Sequence, residues 1–350
     1  MQPEANTLVI LSPGFPANEQ DTTCLPAQQQ LVQNMQENFP GLNIIVLSFH
    51  YPYIQSTYQW KNVTVVSFNG RNRGKLSRLL LWYKVWRRLA SIKRRHCVMG
   101  LLSFWCTECA LIGKYFGRRN KLPHFTWVLG QDAKKDNAYV KYIRPRSEEL
   151  VAMSDFLADA FERNHGVRPA HVIPNGIDPR WYPKQKTERK IDVLGVGSLI
   201  KLKQYDVFIK IIGSVKDKIP GIKAMICGKG PEERSLHEQV QKLKLQENIS
   251  FAGELQHAEI LQQMQQAKIF LHTSSYEGFS TVCLEALYAG AHVISFCDPV
   301  KEKIPHWHIV KNDEEMLEQL IALLQDASLD HEAVMPFLMK DSASAIINLY

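Results

Sequence analysis

The amino-acid sequence predicts an α/β protein of two doubly wound parallel-sheet domains, and three observations carry that prediction. Short apolar runs alternate with amphipathic helical patterns along almost the whole chain, as in strand–helix–strand units. At 350 residues the chain is long enough for two such domains, each with its own core. A break falls at Pro174-Asn175-Gly176-Ile177-Asp178-Pro179, a composition that excludes a regular element and marks a turn or linker.

Strands are predicted in the first half at 7–12, 42–48, 63–68, 97–102, 125–129, 150–154 and 171–173. The second half is more regular. Strands at 191–196, 223–227, 248–251, 269–272 and 292–296 alternate with helices at 205–219, 231–245, 258–267 and 281–289. This five-strand pattern is doubly wound, and such sheets take ligands beyond the carboxyl ends of their strands. Residues 313–350 read as helices. The expected division is a first domain over 1–169, a second over 170–310 and C-terminal helices over 311–350.

Composition narrows the function classes. Hydrophobic content of 45% and charged content of 22% fit an ordinary globular chain and exclude a disordered one. No run is long and clean enough to span a bilayer, and residues 7–11 read as a first strand rather than a leader. The expectation is a cytoplasmic protein. Seven scattered cysteines argue against a disulfide framework, and the lone Cys106-x-x-Cys109 reads as two buried thiols. His306 and His308 flank Trp307 in a Pro-rich turn, where surface or packing roles are expected.

Charge is uneven. The net charge is +7, yet from Arg71 to Arg95 there are ten Lys or Arg residues and no acid. Leu76, Leu79, Tyr83, Trp86 and Leu89 recur there at helical spacing. Two readings stand level. One is an amphipathic helix for an anionic membrane surface, which would put the protein peripherally on the inner face of the plasma membrane. The other is a core-packed helix with a solvated basic rim. Nucleic acid is not an expected partner, because no RNA- or DNA-binding module is visible.

The stretch from His272 to Gly290 carries the chemistry. A strand ends near His272, Ser280 suits an N-cap and Gly290 a C′ position. Glu277 then lies on the loop ahead of the helix, and Glu285 leans back from its second turn towards the same mouth. A helix N-terminus offers amide donors and partial positive charge for a phosphate, and Gly278 lets backbone approach a ligand. Amides for a diphosphate beside carboxylates for hydroxyls suit a sugar diphosphate. Either glutamate alone would read as a solvated charge; the surrounding residues reverse that.

Those surrounding residues resemble a known family. Glu277-Gly278-Phe279-Ser280-Thr281-Val282-Cys283-Leu284-Glu285 is similar to the E-x7-E signature of the retaining GT-B glycosyltransferases of family 4, the glycosyl transferases group 1. In the order that family requires, Val172 to Asp178 resembles V-I-P-N-G-I-D. Val196-Gly197-Ser198-Leu199 with Lys203 resembles G-R-L-x4-K-G, Cys227-Gly228-Lys229-Gly230-Pro231 resembles the G-x-G-P loop, and Phe251-Ala252-Gly253 resembles F-x-G. The likeness runs from about Val172 to Phe296.

The resemblance implies a GT-B fold, two Rossmann-like domains facing a cleft, with the acceptor on the first and the donor on the second. It implies a hexosyltransferase that moves sugar from a nucleotide diphosphate sugar to a glycan or lipid-linked acceptor in surface polysaccharide or glycolipid synthesis. It implies that Glu277 binds donor-sugar hydroxyls, that amides at Phe279, Ser280 and Thr281 hold the diphosphate, and that Glu285 holds the ribose. Lys203 would neutralise the leaving diphosphate, and Gly14 would approach it from the first domain. Ser198, Gly228, Gly230, Phe251 and Gly278 complete the expected donor site. Two positions depart from the family. Ser198 replaces an arginine, with Lys201 as the nearby substitute, and Leu129 replaces a histidine in Leu129-Gly130-Gln131-Asp132, leaving Gln131 or Asp132 to orient the sugar.

No Asp-x-Asp occurs, so neither a metal nor a cofactor is expected. The start Gly195-Val196-Gly197 resembles a dinucleotide fingerprint, but its third glycine is missing and Asp217 lies in the helix pattern. A nucleotide-sugar-binding protein without transferase activity is the remaining alternative.

Overall fold

The computed structural model describes residues 6–74, 76–183, 187–300 and 302–350. The chain divides into two compact units, Met1–Gly176 with Phe337–Tyr350, and Ile177–Pro336. Each is a mainly parallel sheet wrapped by helices, and together they are the pair of Rossmann-like α/β units of a GT-B fold.

The first unit runs β1 (Asn6–Gly14), α1 (Pro26–Asn38), β2 (Leu42–Tyr51), β3 (Ser56–Trp60), β4 (Val63–Ser67), α2 (Leu76–Arg95), β5 (Val98–Phe104), α3 (Glu108–Asn120), β6 (His124–Val128), α4 (Tyr139–Ile143), β7 (Leu150–Ala152), α5 (Asp155–His165) and β8 (His171–Val172). Its sheet order is β3-β4-β2-β1-β5-β6-β7-β8. Leu8, Val9, Ile10 and Leu11 are all buried, because a central parallel strand is covered on both faces. Strand β3 is not among the predicted strands. It pairs antiparallel with β4 through Lys61 and Asn62, both at positive φ, a twist-matched hairpin turn made without the glycine that usually announces one.

The second unit runs β9 (Ile191–Val196), α6 (Tyr205–Lys216), β10 (Ala224–Cys227), α7 (Glu233–Lys242), β11 (Ile249–Gly253), α8 (His257–Gln266), β12 (Ala267–His272), α9 (Thr281–Tyr288), β13 (His292–Ser295), β14 (Trp307–Ile309) and α10 (Asp313–Gln325). The sheet has six parallel strands, β11-β10-β9-β12-β13-β14, one more than expected. The extra strand β14 sits in the Pro-rich turn, where buried Trp307 donates from Nε1 to Ser295 Oγ at 2.9 Å.

The boundary falls after Gly176 rather than after residue 169, because β8 pairs with β7 and closes the first sheet. The tail also divides. Helix α10 packs on α6 of the second unit. The last helix, α11 (Met339–Ile347), packs on α1 of the first. Behind α11, the Tyr350 ring lies edge-on to Phe125 at 5.1 Å and its hydroxyl donates to the Leu101 carbonyl at 2.8 Å. Gly176, in the segment read as a linker, lies against the tail: a Cβ there would stand 2.3 Å from the Leu338 carbonyl carbon.

Helix α2 corrects the expected apolar stripe. Leu81, Val85, Leu89 and Ile92 face the core of the first unit. Of the expected stripe only Leu89 is buried and Trp86 partly so, while Leu76, Leu79 and Tyr83 are exposed. Lys75, counted in the basic run, lies outside the described residues. No helix among the described residues is long and apolar enough to cross a membrane. All seven cysteines are unpaired, and burial pushes the Cys106 and Cys109 thiols well up.

The second unit also gathers imidazoles. His292 stacks on His306 at 4.2 Å between centroids, its Nδ1 lies 3.2 Å from His308 Nε2, and His331 meets it edge-on at 5.8 Å. Burial lowers His292 and His331 and brings His308 down to about 4. These groups are neutral in the folded state and take up protons more readily when unfolded. Their contribution to stability is present above about 6.5, the usual histidine value, and is lost as pH falls towards about 4. We expect the unfolding midpoint to drop between neutral and mildly acid buffer, and the drop to shrink by roughly 2–4 °C in His308→Gln. An unchanged drop in that variant would refute the assignment.

Candidate functional site

In the second unit the chain winds outward from β9 to β10 and β11, then returns to β12 on the other side of β9. The loops leaving β9 and β12 diverge there, at the place where doubly wound sheets open a ligand crevice. The β9 loop carries Ser198 and Lys203; the β12 loop carries Glu277 to Ser280.

The two loops are tied together. Ser275 N–H donates to the Leu202 carbonyl at 3.0 Å, and Thr273 Oγ1 to the Lys203 carbonyl at 2.8 Å. This register sets the Lys203 ammonium on Glu277, Nζ donating to Oε1. Ser274 Oγ donates to the same oxygen at 3.3 Å, and His272 Nε2 lies 3.5 Å from it. Burial alone would raise the Glu277 carboxyl. The His272 hydrogen bond and the Lys203 charge outweigh it and hold the group down at about 2. His272 is itself lowered by burial and is a neutral imidazole. The carboxylate is thus charged, partly enclosed and aimed by three side chains.

Glycines shape the neighbouring edge. Gly228 has φ 144°, and its N–H donates to the Gly253 carbonyl at 2.7 Å. A Cβ on Gly228 would stand 1.9 Å from the Gly197 carbonyl oxygen, and one on Gly230 would stand 2.3 Å from that of Leu199. Only glycine lets these backbones touch. Phe251 packs on His237, the rings tilted by 33° with centroids 4.0 Å apart. Ser198 and Lys201 are exposed on the β9 loop.

Helix α9 begins at Thr281 with Ser280 at the N-cap position. The serine hydroxyl makes no capping bond; it lies 3.3 Å from His272 Nε2. Thr281 N–H turns back to the Phe279 carbonyl at 3.1 Å. Gly278, Phe279 and Ser280 are buried, and Gly290 ends the helix at φ 80°, the C′ geometry expected of it. Glu285 is buried, with Oε1 2.8 Å from His257 Nε2. Burial opposes a charge on His257, but the Glu285 carboxylate prevails and raises its pKa.

Gly14, Gln131 and Asp132 belong to the first unit. Gly14 ends β1, and a Cβ there would meet Tyr51 Cβ at an ordinary 3.5 Å, so the local fold does not demand a glycine. In the Leu129–Asp132 turn the two orienting candidates part. Asp132 is buried and its carboxylate accepts N–H groups from Leu129 at 3.1 Å, Gly130 at 2.8 Å and Cys106 at 2.8 Å. It braces its own loop, and Gln131 is the exposed member of the pair.

Sequence reasoning missed His257, His272 and Ser274 as site residues. His257 opens the helix that follows the F-x-G strand and His272 ends the strand before Glu277. Both sit at carboxyl edges of the sheet, and that placement was the available signal.

Residues 180–334 match the family model described as glycosyl transferases group 1. The chain is 24% identical over 245 residues to the Schizosaccharomyces pombe phosphatidylinositol N-acetylglucosaminyltransferase gpi3 subunit, covering 67% of this chain and 53% of that protein. It is 28% identical over 177 residues to the Niallia circulans 2-deoxystreptamine N-acetyl-D-glucosaminyltransferase, covering 50% and 42%. The chain thus spans about half the length of these curated relatives. Among solved structures, Anabaena HepE in complex with UDP and glucose superposes with a TM-score of 0.70 at 17% identity, over 97% of this chain and 94% of that one. The match to the glycosyl transferases group 1 model thus falls almost wholly within the second unit and spans nearly all of it.

Proposed function

We propose that the chain is a retaining hexosyltransferase that moves a sugar from a nucleotide diphosphate sugar to a glycan or lipid-linked acceptor, without a metal or cofactor, in the cytoplasmic assembly of surface polysaccharide or glycolipid. The observation that carries this reading is the Lys203–Glu277 pair at the β9/β12 crevice. A fixed cation and a fixed carboxylate side by side suit the two halves of the donor. Lys203 would turn from Glu277 to the diphosphate and stabilise the charge that develops as it leaves. Glu277, charged at any physiological pH, would accept hydrogen bonds from sugar hydroxyls. Amides at the start of α9 would hold the diphosphate, and Glu285, oriented by His257, the ribose. In the reaction the acceptor oxygen bonds to the anomeric carbon, the carbon–diphosphate bond breaks, and the acceptor proton passes to the departing phosphate oxygen. The relatives named as N-acetylglucosaminyltransferases and the HepE complex with UDP and glucose support the substrate class.

A second reading, donor binding without transfer, is favoured by one observation: Asp132 is turned into its own loop and Leu129 carries no polar group. Incubation of the purified chain with nucleotide sugars and acceptor pools, with and without a metal chelator, separates the two. Product that forms despite the chelator and disappears in Glu277→Ala supports the enzyme. Tight donor binding with no turnover on any acceptor or on water overturns it.

A further inference from the structure

Helix α2 buries one stripe and leaves another uncovered. On the outer side, Leu76, Leu79, Leu80 and Tyr83 are 76%, 56%, 62% and 58% exposed. The turn before β3 adds Tyr53 and Ile54, also exposed. The two segments are joined. Arg71 donates from Nη2 to the Tyr53 carbonyl at 3.0 Å with its guanidinium 5.5 Å from the Tyr53 ring, and Lys84 Nζ reaches Gln55 Oε1 at 3.3 Å. Six exposed leucine, isoleucine and tyrosine side chains thus lie on two linked segments, beside the bases of the 71–95 run, which contains no acid.

Beside that surface, between α2 and the β3–β4 hairpin, lies a cavity of about 580 Å³ whose lining includes Gln55, Ser56, Tyr83, Lys84, Arg87 and Arg88. Three cations and several hydroxyl or amide groups converge there. Arg88 Nε is buried and has no hydrogen-bond partner among the described residues. Arg87 is held along the Tyr83 ring, 5.9 Å from its centroid. A cavity with unmatched positive charge suits a phosphate, and its position at the foot of an apolar surface suits a phosphate attached to acyl chains.

We propose that the outer face of α2 and the Tyr53–Ile54 turn dock onto an anionic phospholipid bilayer, with the Lys84–Arg87–Arg88 cavity seating a headgroup phosphate. Charge complementarity and apolar side chains that can enter the acyl boundary select this occupant. A nucleic acid would be met by flat stacking rings, whereas four of the six exposed side chains here are aliphatic. The proposal is independent of the transferase reading, since membrane binding is measured without donor or acceptor.

Flotation of the full chain with phosphatidylcholine vesicles, with and without phosphatidylglycerol, at low and high salt, tests it. The chain floats with the anionic vesicles, not with the neutral ones, and salt weakens the binding. Each basic residue contributes about fivefold, so Lys84→Glu/Arg87→Glu weakens partitioning by roughly twentyfold or more. Leu79→Ser/Leu80→Ser weakens it by about tenfold or more at low salt, where charge alone is retained. All four side chains are largely exposed, so both variants keep the parent's unfolding midpoint. Equal recovery with neutral and anionic vesicles, recovery with neither, or inorganic phosphate binding without vesicle binding overturns the proposal.

Discussion

Glu277→Gln is expected to lower nucleotide-sugar turnover by about 10²–10³-fold while leaving the affinity for the nucleoside diphosphate alone within about threefold. The carboxylate is held charged by Lys203 and His272 and accepts a further hydrogen bond from Ser274, and its proposed partners are sugar hydroxyls, which the diphosphate product lacks. A neutral amide accepts those hydrogen bonds less strongly and places the sugar less accurately, and misplacement of this order costs about 10²-fold. Lys203→Ala is expected to cost a similar factor, distributed differently. Negative charge grows on the leaving diphosphate in the transition state, so kcat falls more than KM rises. The same change removes one of the two groups that hold Glu277 at about 2, so the carboxyl titrates higher and an acidic limb appears in the pH–rate profile. Steady-state kinetics with calorimetry on donor and diphosphate check both variants. Turnover within threefold of the parent in Glu277→Gln removes Glu277 from the site.

Gly228→Ala is expected to destabilise the second unit by about 3–5 kcal/mol, from overpacking and a left-handed backbone together. The added Cβ would stand 1.9 Å from a backbone carbonyl, at φ 144°, where neither partner can rotate away. A loss of this size lowers the midpoint by roughly 6–15 °C for a unit of this length. Donor binding should weaken too, since the β9 and β10 loops are pushed apart. Gly14→Ala is the contrasting case. Its Cβ meets only an ordinary 3.5 Å contact, so stability is unchanged. Thermal melts of the two variants side by side measure the difference, and a Gly228→Ala midpoint within about 1 °C of the parent contradicts the packing argument.

Much of this was legible in the sequence because it depends on neighbours along the chain. The apolar runs of β1 and β9 and the amphipathic α6 announce themselves through periodicity. The glycine loops and the E-x7-E stretch announce themselves through residue types at a spacing that one strand–loop–helix unit already determines. What was missed depends on partners distant in sequence. Strand β3 forms on a non-glycine turn because β4 receives it, and β14 forms because the β13 edge and Ser295 offer its tryptophan a place. Helix α2 carries two overlapping apolar stripes, and its amino-acid pattern does not say which one the sheet will cover.

The sequence by itself determined the doubly wound class, the position of the candidate site and most of its residues, since strand, loop and helix N-terminus are local and chemistry follows their order. Only the tertiary structure decided how those residues act on one another. It set Lys203 on Glu277 across a gap of 74 positions and gave Glu285 its histidine. It turned Asp132 inward onto three amides, and it chose Leu81, Val85, Leu89 and Ile92 for the core while leaving Leu79, Leu80 and Tyr83 outside. The physical reason is common to all four. Charge pairing and burial depend on distance in space, and sheet order, not sequence spacing, establishes that distance.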